Sequence, residues 1–377
     1  MSDLIFFTPM LPFPTGHGSS MRASIAVEIL SEKHRVFVVH SPIWPWRGIF
    51  SETWVRERAA GYATVPPQPD AATLQRLASA EFPGAQFSAV YAFRLAMAPI
   101  ALRFSALPDM PKPHMVLDLD DDDVSRSERF VELRERMGDH GRAALERVEL
   151  PRLRIHQKML LPRFDVNLLA GPNDCCSLAR QFPDKQFACL PNVVRPATAP
   201  GDPDPFSMLF IGSMDYFPNA DGAQYFCRSI LPLLRVKIPN FKLRIAGHGA
   251  EPQLMALDRH AEVELAGMVP DVTPEYARTG VVIVPLRAGS GTRVKILEAF
   301  SFRRPVVSTS IGAEGLGVTH EKHLLIADTP EEFATACARL MTDASLRARL
   351  TENAADFLAA EHSMERARSV LHSLYPA

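Results

Sequence analysis

Short apolar runs recur along this chain, each followed by a stretch of helical period, and the alternation is played out twice. In the first half the runs are Leu4 to Thr8, Val36 to His40, Ala89 to Phe93, Met115 to Leu119 and Val166 to Ala170, with helical period clear from Ser20 to Lys33. In the second half they are Met208 to Ile211, Lys242 to Ala246, Val263 to Ala266, Val281 to Pro285, Val306 to Thr309 and Leu324 to Ala327. Strand and helix alternating in this way predict parallel sheets covered on both faces. Arg195 to Pro205, between the two sets, is rich in proline and reads as a semi-rigid hinge. A length of 377 residues, 47% of them apolar, is enough for two cores. The expectation is an α/β chain of two doubly wound, Rossmann-like domains facing across a cleft. They would span 1–195 and 206–355, and a C-terminal helix in 356–377 would return to the first. Ligands of such sheets bind outside the carboxyl ends of the strands.

Charge and cysteine content narrow the classes. Lys plus Arg (41) nearly balances Asp plus Glu (43), so no large positive field exists for a nucleic-acid backbone. The start, Met1-Ser2-Asp3, lacks a secretory signal's basic opening, and no run approaches the roughly 20 apolar residues of a membrane span. Five cysteines without CxxC spacing predict reduced thiols in a cytoplasmic protein, with Cys175 and Cys176 in a helix rather than a metal site. Asp139 to Leu161 is a long charged amphipathic stretch that Pro151 is expected to kink or restart.

The most informative segment runs from Pro285 to Ala299. A strand enters a loop with Gly289, Ser290, Gly291 and Thr292, and the loop opens a helix with Arg293 and Lys295 in its first turn. Bare amides at a helix start bind anions, and glycines let a phosphate come close. Cations there oppose the helix dipole by a few tenths to about 1 kcal/mol unless an anion sits between them. This is the pattern of a pyrophosphate site; two solvated basic side chains are the competing reading. Glu298, one turn on in a largely apolar stretch, could accept both hydroxyls of a ribose.

Three other places carry chemistry. Gly16 and Gly18, in the loop Pro12 to Ser20 after the first strand, permit main-chain approach to a ligand, although the third glycine of a Rossmann fingerprint is missing. Asp118 and Asp120 to Asp123 form the most acidic run, open to three readings: a metal cluster, helix capping, or a carboxylate that binds or deprotonates an acceptor hydroxyl. Gly247 and Gly267 follow strands of the second half, where main-chain groups could read a nucleotide base.

The run Gly289 to Gly315 resembles the donor-binding signature of the group 1 (family 4) glycosyltransferases, particularly their bacterial exopolysaccharide branch. Pro12 to Arg22, Leu190 to Val194, Phe210 to Gly222, Ile245 to Glu251 and Glu264 to Val272 resemble the same family in the same order. The resemblance implies a GT-B fold and a sugar transfer from a nucleotide-diphosphate sugar, with no further cofactor and no metal. The acceptor would be a hydroxyl of a glycan, lipid-linked or small molecule. It also implies retention of configuration, a donor phosphate oxygen taking the acceptor proton while the protein stabilises the leaving charge.

Departures from the family pattern shape the site. Where relatives carry a first glutamate this chain has Ser290, and Glu314 is expected to replace it at the sugar. Where relatives place an Arg and a Lys after the first strand of the C-terminal domain, this chain begins Gly212-Ser213-Met214-Asp215, so Arg293 and Lys295 are expected to supply the lost charge. Asp120 falls where many relatives have a cleft histidine and is assigned to the reacting centre. A nucleotide-sugar epimerase of the same fold and a non-catalytic nucleotide-sugar-binding subunit are the alternatives. The segment Pro42 to Arg47, with Trp44 and Trp46, has two readings: a packed loop, or a peripheral contact at the inner membrane face.

Overall fold

The computed structural model describes residues 1–43, 51–108, 110–197, 203–249, 257, 260–289 and 291–375. Trp44, Trp46 and Arg47 therefore lie outside the described residues, as do Ser290 and the middle of the proline-rich linker.

The chain divides into two compact units, one of Met1–Val131, Asp139–Val193 and Met364–Ala377, the other of Glu132–Gly138 and Val194–Ser363. In the first, the strands are β1 (Ser2–Thr8), β2 (His34–His40), β3 (Gly61–Thr64), β4 (Phe87–Phe93), β5 (His114–Asp120), β6 (Val166–Leu169) and β7 (Gln186–Cys189). They form a parallel sheet in the order β3-β2-β1-β4-β5-β6-β7. The central β1 is buried from Asp3 to Thr8, which a run of Leu, Ile and Phe makes favourable on both faces. Phe6 stacks on Tyr91 of β4 with ring centroids 4.7 Å apart. The edge strands β3 and β7 were not expected: their GYAT and QFAC sequences are short and only partly buried, too weak a pattern to read.

The second unit has β8 (Ser207–Ile211), β9 (Lys242–Ala246), β10 (Val263–Gly267), β11 (Val281–Val284), β12 (Val306–Ser308) and β13 (Leu325–Ile326). Their order is β10-β9-β8-β11-β12-β13, again parallel. All six were expected within a residue or two at each end.

Two boundaries differ from the sequence reading. The helix Ala344–Glu361 buries Leu346, Leu350, Ala354 and Leu358 in the second core, so the second unit runs on to Ser363 instead of ending at 355. The segment that groups with the first unit starts at Met364 rather than 356; its helix Met364–Ser373 places Ala367 and Leu371 in the first core. A further difference concerns Pro151, at which the helix does not restart: His140–Leu160 is continuous through it. Cys175 and Cys176 lie in the helix Pro172–Gln181, as expected. Among the described residues no helix is long and apolar enough to cross a membrane, and no group of three or more His, Cys, Asp or Glu side chains could hold a metal ion.

Candidate functional site

In an open parallel sheet, the crevice for a ligand opens where strand order reverses, because the loops of the two strands there turn to opposite faces. In the second unit that point lies between β8 and β11. The stretch after β8 begins with Gly212, and the stretch after β11 is Pro285 to Arg293. The two segments singled out from sequence therefore leave neighbouring strands at the switch point.

The helix Val294–Ser301 starts there with Arg293 as its N-cap, no side-chain cap bond and no acidic residue in its first turn. Arg293 is 7% exposed. Its side chain folds back over the glycine loop, where Nη1 donates to the Gly291 carbonyl at 2.9 Å. A Cβ on Gly289 would stand 2.7 Å from Arg293 Nη2, so a side chain at 289 would displace the guanidinium. The Thr292 hydroxyl is buried and makes no hydrogen bond among the described residues. A buried donor left over beside two cations suits an added acceptor.

Lys295 reaches across to the end of β8. Its Nζ donates to Asn219 Oδ1 at 2.7 Å, sits 4.6 Å from the Phe210 ring centroid, and would stand 2.8 Å from a Cβ on Gly212. Asn219 is held in turn by donating from Nδ2 to the Ser213 carbonyl at 2.7 Å. Burial, with Arg293 nearby, pulls the Lys295 ammonium down to about 7, and Glu298 opposes the shift. The side chain expected to replace a missing cation after β8 thus stands against that position.

Glu298 lies on the same helix. Its Oε2 accepts from the Tyr276 hydroxyl at 3.0 Å, and burial pushes the carboxyl up to about 7 against the pull of Tyr276 and Lys295. Tyr276 is fully buried and stacked on Phe302, with centroids 4.8 Å apart.

The glycines divide into two kinds. Gly212 and Gly247 end adjacent strands at φ 152°, and a Cβ on Gly247 would fall 1.8 Å from the Gly212 carbonyl oxygen. Backbone thus requires glycine at 247, whereas at Gly212 it is the Asn219 and Lys295 side chains that leave no room for a Cβ. Gly267, at the end of the outer β10, has φ 65° and open space around it, so it serves the turn. Glu314 caps the helix Ser310–Ala313 after β12, the strand beside β11. Thr309 Oγ1 donates to the Leu286 carbonyl at 2.5 Å, which ties that turn to the loop after β11.

In the first unit the reversal lies between β1 and β4. Gly16 takes φ 92° in the loop after β1, and Gly18 begins the helix Gly18–Leu30, capped by the His17 ring accepting from Ser19 N at 3.2 Å. Asp120, at the end of β5, takes φ 67°, a strained value for a residue other than glycine. Arg94, just after β4, does the same at φ 73°.

Arginines meet the acidic run. Buried Arg22 forks onto Asp118, with Nη2 to Oδ1 at 2.8 Å and Nε to Oδ2 at 3.0 Å, and donates to the Leu190 carbonyl at 2.8 Å. Arg94 Nη1 lies 3.1 Å from Asp120 Oδ2 and 2.7 Å from Asp121 Oδ1, and Arg126 binds Asp121 and Asp123. Asp122 caps the next helix through Val124 N at 3.1 Å and Ser125 Oγ at 2.6 Å. Capping and ion pairing therefore occupy this run. Asp120 also accepts from Asn192 at 3.3 Å and Ser19 at 3.4 Å. Burial raises its pKa while Arg22 and Arg94 lower it. Asn219, Tyr276 and Arg94 were missed from sequence: an Asn and a Tyr inside helices and an isolated Arg carry no spacing signal until the fold brings them to a site.

Residues 205–343 match the family model described as glycosyl transferases group 1. An uncharacterised protein of the cps region of Klebsiella pneumoniae is 29% identical over 34% of this chain, which covers 35% of that protein. HepE of Anabaena, solved with UDP and glucose, superposes with a TM-score of 0.72 at 13% identity over 99% of both chains. The sucrose-phosphate synthase of Thermosynechococcus elongatus gives 0.70 at 14% identity, over 100% of this chain and 98% of that one. The chain thus has the GT-B fold, and its second unit carries a domain similar to the group 1 glycosyl transferases.

Proposed function

We propose that the chain is a glycosyltransferase that moves a sugar from a nucleotide-diphosphate sugar to a hydroxyl of a glycan, lipid-linked or small-molecule acceptor, with retention of configuration. The observation that carries this reading is the approach of Lys295 Nζ to Gly212 at the β8/β11 switch point, with Arg293 at the start of the same helix. In this reading Arg293, Lys295, Gly291 and Thr292 receive the diphosphate, and the two cations stabilise charge that grows on it as the glycosidic bond breaks. Glu298, steadied by Tyr276, takes the ribose hydroxyls. Gly212 and Gly247 give the nucleotide a flat floor, and Glu314 faces the sugar where Ser290 is too short. Asp120 of the first unit, with Gly16 and Gly18 in the loop nearby, is assigned to the acceptor hydroxyl; the proton itself passes to a donor phosphate oxygen.

UDP is the first donor base to test, because HepE was solved with it, and the cps-region similarity favours a glycan acceptor. Titration calorimetry with UDP and UDP-glucose, on the wild type and on Arg293→Ala/Lys295→Ala, checks the reading. Binding by the wild type and its loss in the variant are expected. Equal affinity in both proteins refutes it. Sugar transfer to a mixed acceptor panel then separates a transferase from a binding subunit.

A further inference from the structure

The helix His140–Leu160 has two apolar faces, of which the fold covers one. Its inner side buries Ala143 and Gln157. On the outer side Leu145, Val148, Ile155 and Met159 are 70%, 65%, 56% and 66% exposed, the largest such cluster among the described residues. With Arg152 they follow one another in steps of three and four residues, which on a helix keeps them within an arc of about 80°. Soluble surfaces scatter single apolar side chains but seldom line them up along a helix.

Charge says what covers the stripe. The helix carries Arg142, Arg147, Arg152, Arg154 and Lys158 against Glu146 and Glu149. Lys158, Arg147 and Arg154 lie on one flank of the helix, about 60–100° beyond that edge of the stripe, Arg152 lies inside the stripe, and Glu149 lies about 40° beyond its other edge. Arg152 and Arg154 also contact Glu149 and Glu128, in exposed pairs that salt and competing anions readily break. A second copy of the chain is a poor occupant, because pairing about the centre of the stripe, parallel or antiparallel, sets Arg152 against its own copy in an apolar seam. A lipid surface has no such conflict: the arginine stem lies along the acyl boundary while the guanidinium reaches the headgroups.

We propose that the outer face of the helix His140–Leu160 docks in the plane of an anionic membrane, its apolar stripe entering the headgroup boundary while Arg152 and the basic flank of Lys158, Arg147 and Arg154 meet lipid phosphates. This is independent of the sugar-transfer reading, since none of these residues lies at the candidate site.

Sedimentation with phosphatidylcholine vesicles containing about one third phosphatidylglycerol, against pure phosphatidylcholine, tests it. The wild type is expected to pellet with the mixed vesicles at least about tenfold more tightly, and the binding to weaken as salt is raised. Ile155→Asp/Met159→Asp should abolish binding with an unchanged melting temperature, because both side chains are exposed. Ile155→Ala/Met159→Ala, which keeps helix propensity, should weaken it even if the charged variant folds poorly. No pelleting with mixed vesicles overturns the proposal, as does equal pelleting of wild type and alanine variant. A dimer in analytical ultracentrifugation that the alanine variant dissolves, without vesicle binding, assigns the face to a second copy instead.

Discussion

The buried hydroxyl of Tyr276 shares its one proton between Glu298 Oε2 at 3.0 Å and the Lys295 carbonyl at 3.2 Å, so one side chain fixes both the carboxylate and the helix turn that carries it. Stacking on Phe302 leaves that hydroxyl little freedom.

Loss of this hydroxyl should therefore weaken the nucleotide in a pH-dependent way. Burial already pushes Glu298 up to about 7, and Tyr276 is the first of the influences holding it down. In Tyr276→Phe the carboxyl is protonated over more of the neutral range and accepts ribose hydroxyls less well. Hydrogen bonds to charged groups are worth about 1.5–3 kcal/mol, so about tenfold weaker UDP binding at neutral pH is expected. Calorimetry should show the deficit shrinking as pH rises. A deficit that is constant with pH would mean that Glu298 is not the group affected.

Nucleotide binding should take up a proton. Lys295 stands at about 7 because burial and Arg293 disfavour its charge, and an incoming diphosphate reverses that balance. Near pH 8 most molecules then gain a proton on binding UDP, and affinity falls by up to about tenfold for each pH unit above 7. Titrations in buffers of different ionisation enthalpy count that proton directly. A binding enthalpy that does not vary with buffer counts against the assignment.

The same groups make the ligand-free chain least stable near neutrality. Lys295 in the fold lies at about 7, below its ordinary 10.5, so between those values the unfolded chain binds more protons and stability rises with pH. Glu298 lies at about 7, above its ordinary 4.5, so between those values the folded chain binds more protons and stability falls as pH rises. The two trends meet near pH 7. Lys295→Met should raise the melting temperature there by about 2–4 °C for each kcal/mol relieved, flatten the rise above pH 7, and remove stabilisation by UDP. Thermal melts across pH 5 to 10, with and without UDP, check all three effects, taking that range from the two shifts.

How much of this was legible in the sequence follows from the range of each interaction. The strands of the second sheet announce themselves because Val281 to Val284 or Lys242 to Ala246 are local patterns that a covered parallel sheet requires. The helix opened by Arg293 was readable because the strand, the glycines and the cations are contiguous. Asp120, in contrast, was singled out without its arginines: Arg22 and Arg94 lie far from it in sequence and reach it only through the β1-β4-β5 order. The end of the second unit was misplaced because helical period from Asp343 onward does not say which core the helices serve.

Asn219 is the sharpest case of a residue that only the fold reveals, and it yields a discriminating test. Its amide has one assignment: Oδ1 accepts from Lys295 Nζ and Nδ2 donates to the Ser213 carbonyl, so the ammonium is aimed at Gly212 by a neutral partner. In Asn219→Ala the ammonium loses that partner, and the donor KM should rise about tenfold with a smaller change in kcat, as for a lost charge-assisted hydrogen bond. In Asn219→Asp the side chain keeps its size but becomes an anion. That carboxylate holds Lys295 protonated to higher pH and competes with the diphosphate for it. UDP affinity should then be weak at pH 7 and lose its fall between pH 7 and 9, a range set by the Lys295 value in the parent chain. A purely structural role for Asn219 would weaken binding in both variants and leave the pH profile where it was.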